Sequence, residues 1–148
     1  MLLMLEDNAE RVARFTAVWN ALAPGHHLRV WRTAVDMVRE IAFDLPAALL
    51  ISLDHDLESV DGIEPGDGMD VTRCLAALSP CCPVIVHTSN GDRGSLMMGE
   101  LELGGWKRHR VYPIGEDWIE MDWGRIVKRV LYQSRIKSAN GPSLRSPH

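Results

Sequence analysis

Apolar and polar positions divide the chain into short alternating segments. Met1 to Leu5 is continuously apolar and gives way at once to Glu6 and Asp7, the pattern of a strand buried on both faces. Asp7 is placed to cap the next helix, with Glu10 three residues on completing a capping box. Val12, Phe15, Val18, Trp19 and Leu22 then recur at helical spacing, and Pro24-Gly25 ends the helix. Leu28 to Arg32 alternates like a strand of moderate exposure. Thr33 opens a helix carrying Val35, Val38, Ile41 and Ala42, ending near Pro46. Ala47 to Leu53 is a second continuously apolar strand that runs into Asp54-His55-Asp56 and a loop rich in glycine and acids. Met69 to Leu78 reads as a helix with Val71, Cys74, Leu75 and Leu78 on one face. Pro83 to Val86 is a third buried strand, ending in His87-Thr88-Ser89-Asn90. A helix weakened by Gly99 covers Ser95 to Leu103, Gly104-Gly105 breaks the chain, Arg110 to Tyr112 is a short strand, and Asp117 to Gln133 is a helix. The spacing predicts a domain over residues 1–135 and a disordered tail over 136–148.

Five alternating βα units make a parallel sheet with helices on both faces. Ligands of such sheets bind beyond the carboxyl ends of the strands, and the polar clusters lie there. Glu6, Asp7 and Asp54 point to a hard divalent cation, because neighbouring carboxylates repel unless a cation neutralises them. Asp56 is either a further ligand or a cap for the following loop. An EF-hand fails, since Ser59 and Pro65 stand where that loop needs Gly and Glu. Asp54 and Asp56 share one face of an extended strand, and His55 takes the other. His87, Thr88, Ser89 and Asn90 offer an imidazole, two hydroxyls and an amide for chemistry, or else satisfy loop backbone groups.

Composition narrows the setting. The chain has 148 residues, 46% hydrophobic and 24% charged, enough for one sizeable core. A net charge of -4 argues against a large nucleic-acid surface. The basic run Lys107-Arg108-His109-Arg110 reads as a solvated edge, with nucleic-acid contact the lesser reading. His26, His27 and His109 read as solvated, Trp106 and Trp118 as either core or partner-surface aromatics. Three cysteines, Cys74, Cys81 and Cys82, form no disulfide framework or zinc pattern, which suits a reducing cytoplasm. No apolar run is long enough for a membrane span.

In this order the residues resemble the response-regulator receiver family. Its pattern is an acidic pair after strand one, a phosphoacceptor Asp after strand three, a Thr or Ser after strand four, and Lys-Pro after strand five. Glu6-Asp7, Asp54 and Thr88 match the first three, and the resemblance runs from Met1 to Gln133. It implies an α/β fold, a doubly wound five-stranded parallel sheet in order 2-1-3-4-5 of flavodoxin/receiver-like type, with Glu6, Asp7, Asp54 and Thr88 in one cleft. Tyr112-Pro113 replaces Lys-Pro, so the resemblance does not imply ordinary phosphorelay signalling. The segments LDHDL and HTSN look like the divergent branch of cyclic-phosphate-processing receiver domains, found with RNA-repair and conflict systems. That branch implies a retained metal pocket with histidines added for phosphoester chemistry.

The resulting expectation is metal-dependent hydrolysis or opening of a cyclic phosphate on RNA or a nucleotide. Glu6, Asp7, Asp54 and Asp56 hold Mg²⁺ or Mn²⁺; Asp54, His55 and His87 are catalytic; Thr88, Ser89 and Asn90 bind phosphate. The partner is a small phosphoester or an RNA end, with no membrane and with a homodimer allowed for. The alternative is a non-enzymatic or atypical receiver module acting through protein contacts.

Overall fold

A computed structural model describes residues 1–141. Within it β1 (Leu2–Leu5), β2 (Leu28–Trp31), β3 (Leu50–Leu53), β4 (Val84–Val86) and β5 (Arg108–Arg110) form one parallel sheet in the order β2-β1-β3-β4-β5. Leu5, Leu53, Val86 and Arg110 lie in one register row across the last four strands of that order. The connecting helices are α1 (Ala9–Leu22), α2 (Ala34–Asp44), α3 (Gly68–Ala76) and α4 (Gly91–Leu103), with α5 (Gly124–Ala139) closing the fold.

Strand alternation divides the core in two. Leu3, Leu5, Ile51, Leu53, Val84 and Val86 face α2, α3 and α4. Leu2, Met4, Leu50 and Ile85 face α1 and α5 through Phe15, Trp19, Trp123 and Val127. Trp106 and Trp118 are both core residues, which decides between the two readings of each. No helix among the described residues is long and apolar enough to cross a membrane.

Several local expectations shift. Asn8, not Asp7, caps α1, accepting from Arg11 N at 2.9 Å. α2 buries Ala34, Met37 and Ile41 and leaves Val35 and Val38 exposed, a face rotated by one position from the predicted one. Leu45–Ala47 forms a 3₁₀ turn, with Pro46 inside its first turn, and this delays β3 to Leu50. α4 starts at Gly91 because Asn90 caps it, accepting from Arg93 N. β5 ends at Arg110, because Val84 N donates to Lys107 O and pulls Arg108 into the ladder. His109 is thus a half-buried strand residue. The last helix begins with a π-helical turn over Ile119–Trp123 and runs on through Ala139. Residues 136–139 of the expected tail are therefore helical, and 142–148 lie outside the described residues.

Candidate functional site

The parity that divides the core also selects the site. Glu6 follows Leu2 and Met4 on the α1/α5 side, Asp54 follows Leu50 and Ser52, and His87 follows Ile85. Each is the first residue beyond a buried strand, and the three offer ligand atoms within 4.8 Å of one another. All are buried. Asp7 and His55 have the opposite parity and turn away. Asp7 accepts from Glu58 N at 2.6 Å and so ties down the loop after β3. Asp56 is mostly exposed and bonds to His55 Nδ1 at 2.7 Å. The four acids expected around one cation therefore do not converge: Glu6 and Asp54 meet His87, while Asp7 and Asp56 serve the loop.

His87 belongs to a buried chain of hydrogen bonds. Trp123 Nε1 donates to Ser52 Oγ at 3.0 Å, Ser52 Oγ lies 2.8 Å from His87 Nδ1, and His87 Nε2 lies 3.0 Å from Glu6 Oε2. An indole only donates and a carboxylate only accepts. One proton order satisfies every member: Ser52 accepts from Trp123 and donates to Nδ1, and Nε2–H donates to Glu6. The imidazole is walled by Phe15, at a centroid distance of 5.0 Å, and by Trp118 at 6.1 Å. Both ring nitrogens meet protein groups, so His87 orients Glu6.

The two carboxyls are driven apart in acidity. Burial pushes Glu6 up, but the hydrogen bond from His87, the Asn8 N–H at 3.1 Å and the nearby Arg11 charge outweigh it and hold this carboxyl below its ordinary range. Asp54 rises to about 6, first from burial, with the Glu6 charge adding; His87, the His55 N–H and Arg11 oppose the rise without cancelling it. Paired titratable groups with diverging acidity mark candidate acid–base sites.

Arg11, a residue that helical periodicity alone places on the polar face of α1, lies at the mouth of this pocket. Its Nη1 is 3.8 Å from Asp54 Oδ2 and 4.0 Å from Glu6 Oε2, and its guanidinium lies 5.5 Å from the Trp118 ring centroid. Ser52 was equally hidden, although a serine inside the apolar run LLISL must find a partner when buried. Two carboxylate oxygens and an imidazole nitrogen suit Mn²⁺, and the carboxylates alone suit Mg²⁺. For Nε2 to act as a ligand, its proton must pass to Nδ1 and Ser52 must accept it.

The remaining expected residues shape the rim. Thr88 is buried, and its Oγ1 accepts from Asn90 N at 3.1 Å, while Asn90 caps α4. These two satisfy the backbone of the turn, leaving Ser89 as the exposed hydroxyl. His55 sits on the α3 side. Its Nδ1 holds Asp56, and its buried Nε2 has no hydrogen-bond partner among the described residues, with Asp67 Oδ2 at 3.7 Å. At the end of β5, Arg110 donates to Thr88 O at 2.8 Å and to Val86 O at 3.3 Å. Gly94 of α4 lets this guanidinium pass, since a Cβ there would meet it at 2.4 Å. A cation thus does stand at the end of β5, two residues before Tyr112, but it is spent on the β4 loop.

Solved structures share the fold. A signal receiver domain of a DNA-binding response regulator from Colwellia psychrerythraea 34H superposes with a TM-score of 0.60 at 15% identity, covering 89% of this chain and 98% of that one. A response regulator receiver domain from Rhodospirillum rubrum gives 0.59 at 13%, covering 90% and 92%. The Mn²⁺-bound form of the response regulator Rcp1 gives 0.50 at 18%, covering 99% and 98%. These identities establish the fold alone. No curated protein matches the sequence significantly. The family model described as cyclic-phosphate processing receiver domain matches residues 1–103, the stretch holding Glu6, Asp54 and His87, and the chain belongs to that family.

Proposed function

We propose that this domain opens or hydrolyses a cyclic phosphate, on an RNA end or a nucleotide, with Mg²⁺ or Mn²⁺. The observation that carries the reading is the convergence of Glu6, Asp54 and His87 at three neighbouring strand ends. A bound cation supplies positive charge against the phosphoryl oxygens. The chain's own groups supply the rest. Glu6 and Asp54 hold the cation, and His87 keeps Glu6 ionised and oriented. Hydrolysis joins a water oxygen to phosphorus and breaks one ring P–O bond, so water gives up a proton and the departing ribose oxygen gains one. Asp54, ionised beside the cation, is the carboxylate placed to accept the first. The departing ribose oxygen takes the second from solvent, because His55 faces the α3 side, where Asp56 holds its Nδ1. Arg11 presents a planar fork to the phosphate when it leaves the carboxylates. Ser89 and the first N–H groups of α4 offer donors on the other side.

Calorimetry with Mn²⁺ and turnover of a 2′,3′-cyclic nucleotide test this. Wild type binds the ion and turns over, and Asp54→Asn loses a ligand and a charge, with a rate at least about a hundredfold lower. Absence of turnover with either metal, or equal rates in the two proteins, removes the enzymatic reading.

Arg11 favours a second reading, a receiver module without catalysis, because a pocket carrying its own guanidinium is already part-neutralised. Acetyl phosphate separates the two. The enzymatic reading expects no durable adduct on Asp54 by intact-protein mass spectrometry. A stable phosphoryl adduct with a change in oligomeric state supports the module.

A further inference from the structure

The sequence of α5, GRIVKRVLYQSRIKSA, carries Arg125, Lys128, Arg129, Arg135 and Lys137 and not one acid, in a chain whose net charge is -4. Beside it runs β5, whose approach and body read Lys107-Arg108-His109-Arg110. Between the two lies a groove of about 430 Å³, lined by His109, Arg110, Tyr112, Asp122, Arg125 and Arg129 among others. That volume falls in the range of ligand sites. Elsewhere the described arginines are often paired: Arg14 with Glu120, Arg29 with Glu40 and Asp44, Arg39 with Asp36, Arg108 with Glu102. Arg125 and Arg129 are exposed, and neither forms an ion pair among the described residues. The local field is strong enough that His109, already disfavoured as a cation by burial, is pushed further down by Arg129 and Lys107.

The cations alternate with exposed aromatic rings. Tyr112 is 56% exposed, and the Arg110 guanidinium covers it at 4.5 Å from the ring centroid, so the ring has an open side. Tyr132, one turn beyond Arg129 on α5, is 65% exposed. A run of phosphates needs the cations, and unpaired bases need the rings. An acidic polypeptide would use the first and leave the second idle.

We infer that the β5–α5 groove binds single-stranded nucleic acid, with Arg125 and Arg129 on phosphates and Tyr112 as a stacking platform. The groove opens at the carboxyl end of β5, in the register row that also ends β3, two strand spacings or about 10 Å away across the sheet. A strand lying there leaves its terminus near the acidic pocket. The groove therefore extends the proposed chemistry to a substrate class, a polynucleotide end in preference to a free nucleotide, yet its binding stands independently of that chemistry.

The test is fluorescence anisotropy with a labelled single-stranded oligoribonucleotide ending in a plain 3′-hydroxyl, in EDTA, between 50 and 200 mM salt. This probe needs neither metal nor cyclic phosphate, so failure of the catalytic reading leaves the result untouched. Arg125→Gln/Arg129→Gln weakens binding roughly tenfold or more at low salt and lowers the slope of log affinity against log salt by about 1.4. Tyr112→Ala weakens binding about fivefold or more and leaves that slope unchanged. Circular dichroism checks that each exposed substitution leaves the fold intact. No binding at 50 mM salt overturns the inference, as does wild-type affinity in the double variant. Displacement by polyglutamate as effective as by unlabelled oligonucleotide also overturns it and assigns the groove to an acidic protein.

Discussion

Glu6, Asp54 and His87 are buried, and the polar atoms around them are joined into a chain that ends on the Trp123 indole. Arg125 and Arg129 stand in water on one side of α5 without a carboxylate partner among the described residues. In the pocket, low dielectric makes each partner count individually, so a few hydrogen bonds and one guanidinium set Glu6 and Asp54 apart in acidity. On the α5 face the solvent screens each charge, and only the sum over several side chains has an effect. Substitutions should therefore separate the two regions several-fold in energy.

The largest expected effect is at Ser52. Ser52→Ala strips a partner from both Trp123 Nε1 and His87 Nδ1. Each orphaned buried group costs about 1–3 kcal/mol, so urea unfolding at pH 7 should show a loss of roughly 3 kcal/mol. A loss under about 1 kcal/mol would mean that the chain does not hold the imidazole. Next comes Asp54, whose carboxyl moves from 3.8 in the unfolded reference to about 6 in the fold. The folded form binds this proton more tightly, so its contribution favours folding below pH 4 and is lost as pH rises through 4 to 6. In EDTA, Asp54→Asn should thus gain about 1–3 kcal/mol at pH 8 and flatten that part of the profile. Equal or lower stability at pH 8 would refute the burial account, and added Mn²⁺ should reverse the ranking by favouring wild type. The smallest effect is on the basic face: Arg125→Gln/Arg129→Gln should unfold within about 0.5 kcal/mol of wild type. A larger loss would make those arginines structural and blur the contrast.

What the sequence made legible follows the same division. β1, β3 and β4 are short apolar runs that stop abruptly, and the polar residues after them are where sheet topology puts a site. Glu6, Asp54 and His87 could be picked out on that ground. Asp7 could not be separated from Glu6, because adjacent acids at a strand end differ only in parity, and its real partner, Glu58 N, is 51 residues away in the chain. The choice of Asn8 over Asp7 as cap has the same cause, since both side chains cap well and a distant contact claims one. β5 was displaced because RHR carries no apolar signal and borrows its register from β4. Val35 and Val38 misled because apolar stripes compete on α2, and it is Ala34, Met37 and Ile41 that face the sheet. The α5 groove was visible only in half, as the basic run of β5; the other half needed the helix beside it.

Gly68 opens α3 flush against the end of β3. A Cβ there would come within 2.2 Å of Asp54 O and 2.8 Å of His55 Cα, and Gly68 N donates to His55 O at 3.0 Å. The loop between Asp56 and Asp67 is held near its start by Glu58 N on Asp7 and near its end by Pro65 O under Ala34 N, while in its middle Gly62 has nothing within 4 Å of its Cβ position. For protein engineering this makes residues 59–64 a replaceable cassette, since Leu57 packs on the core, Glu58 N is bound by Asp7 and Pro65 O accepts from Ala34 N. Insertions or randomised libraries there can reshape what approaches the pocket while Asp54 keeps its place, provided that position 68 stays glycine.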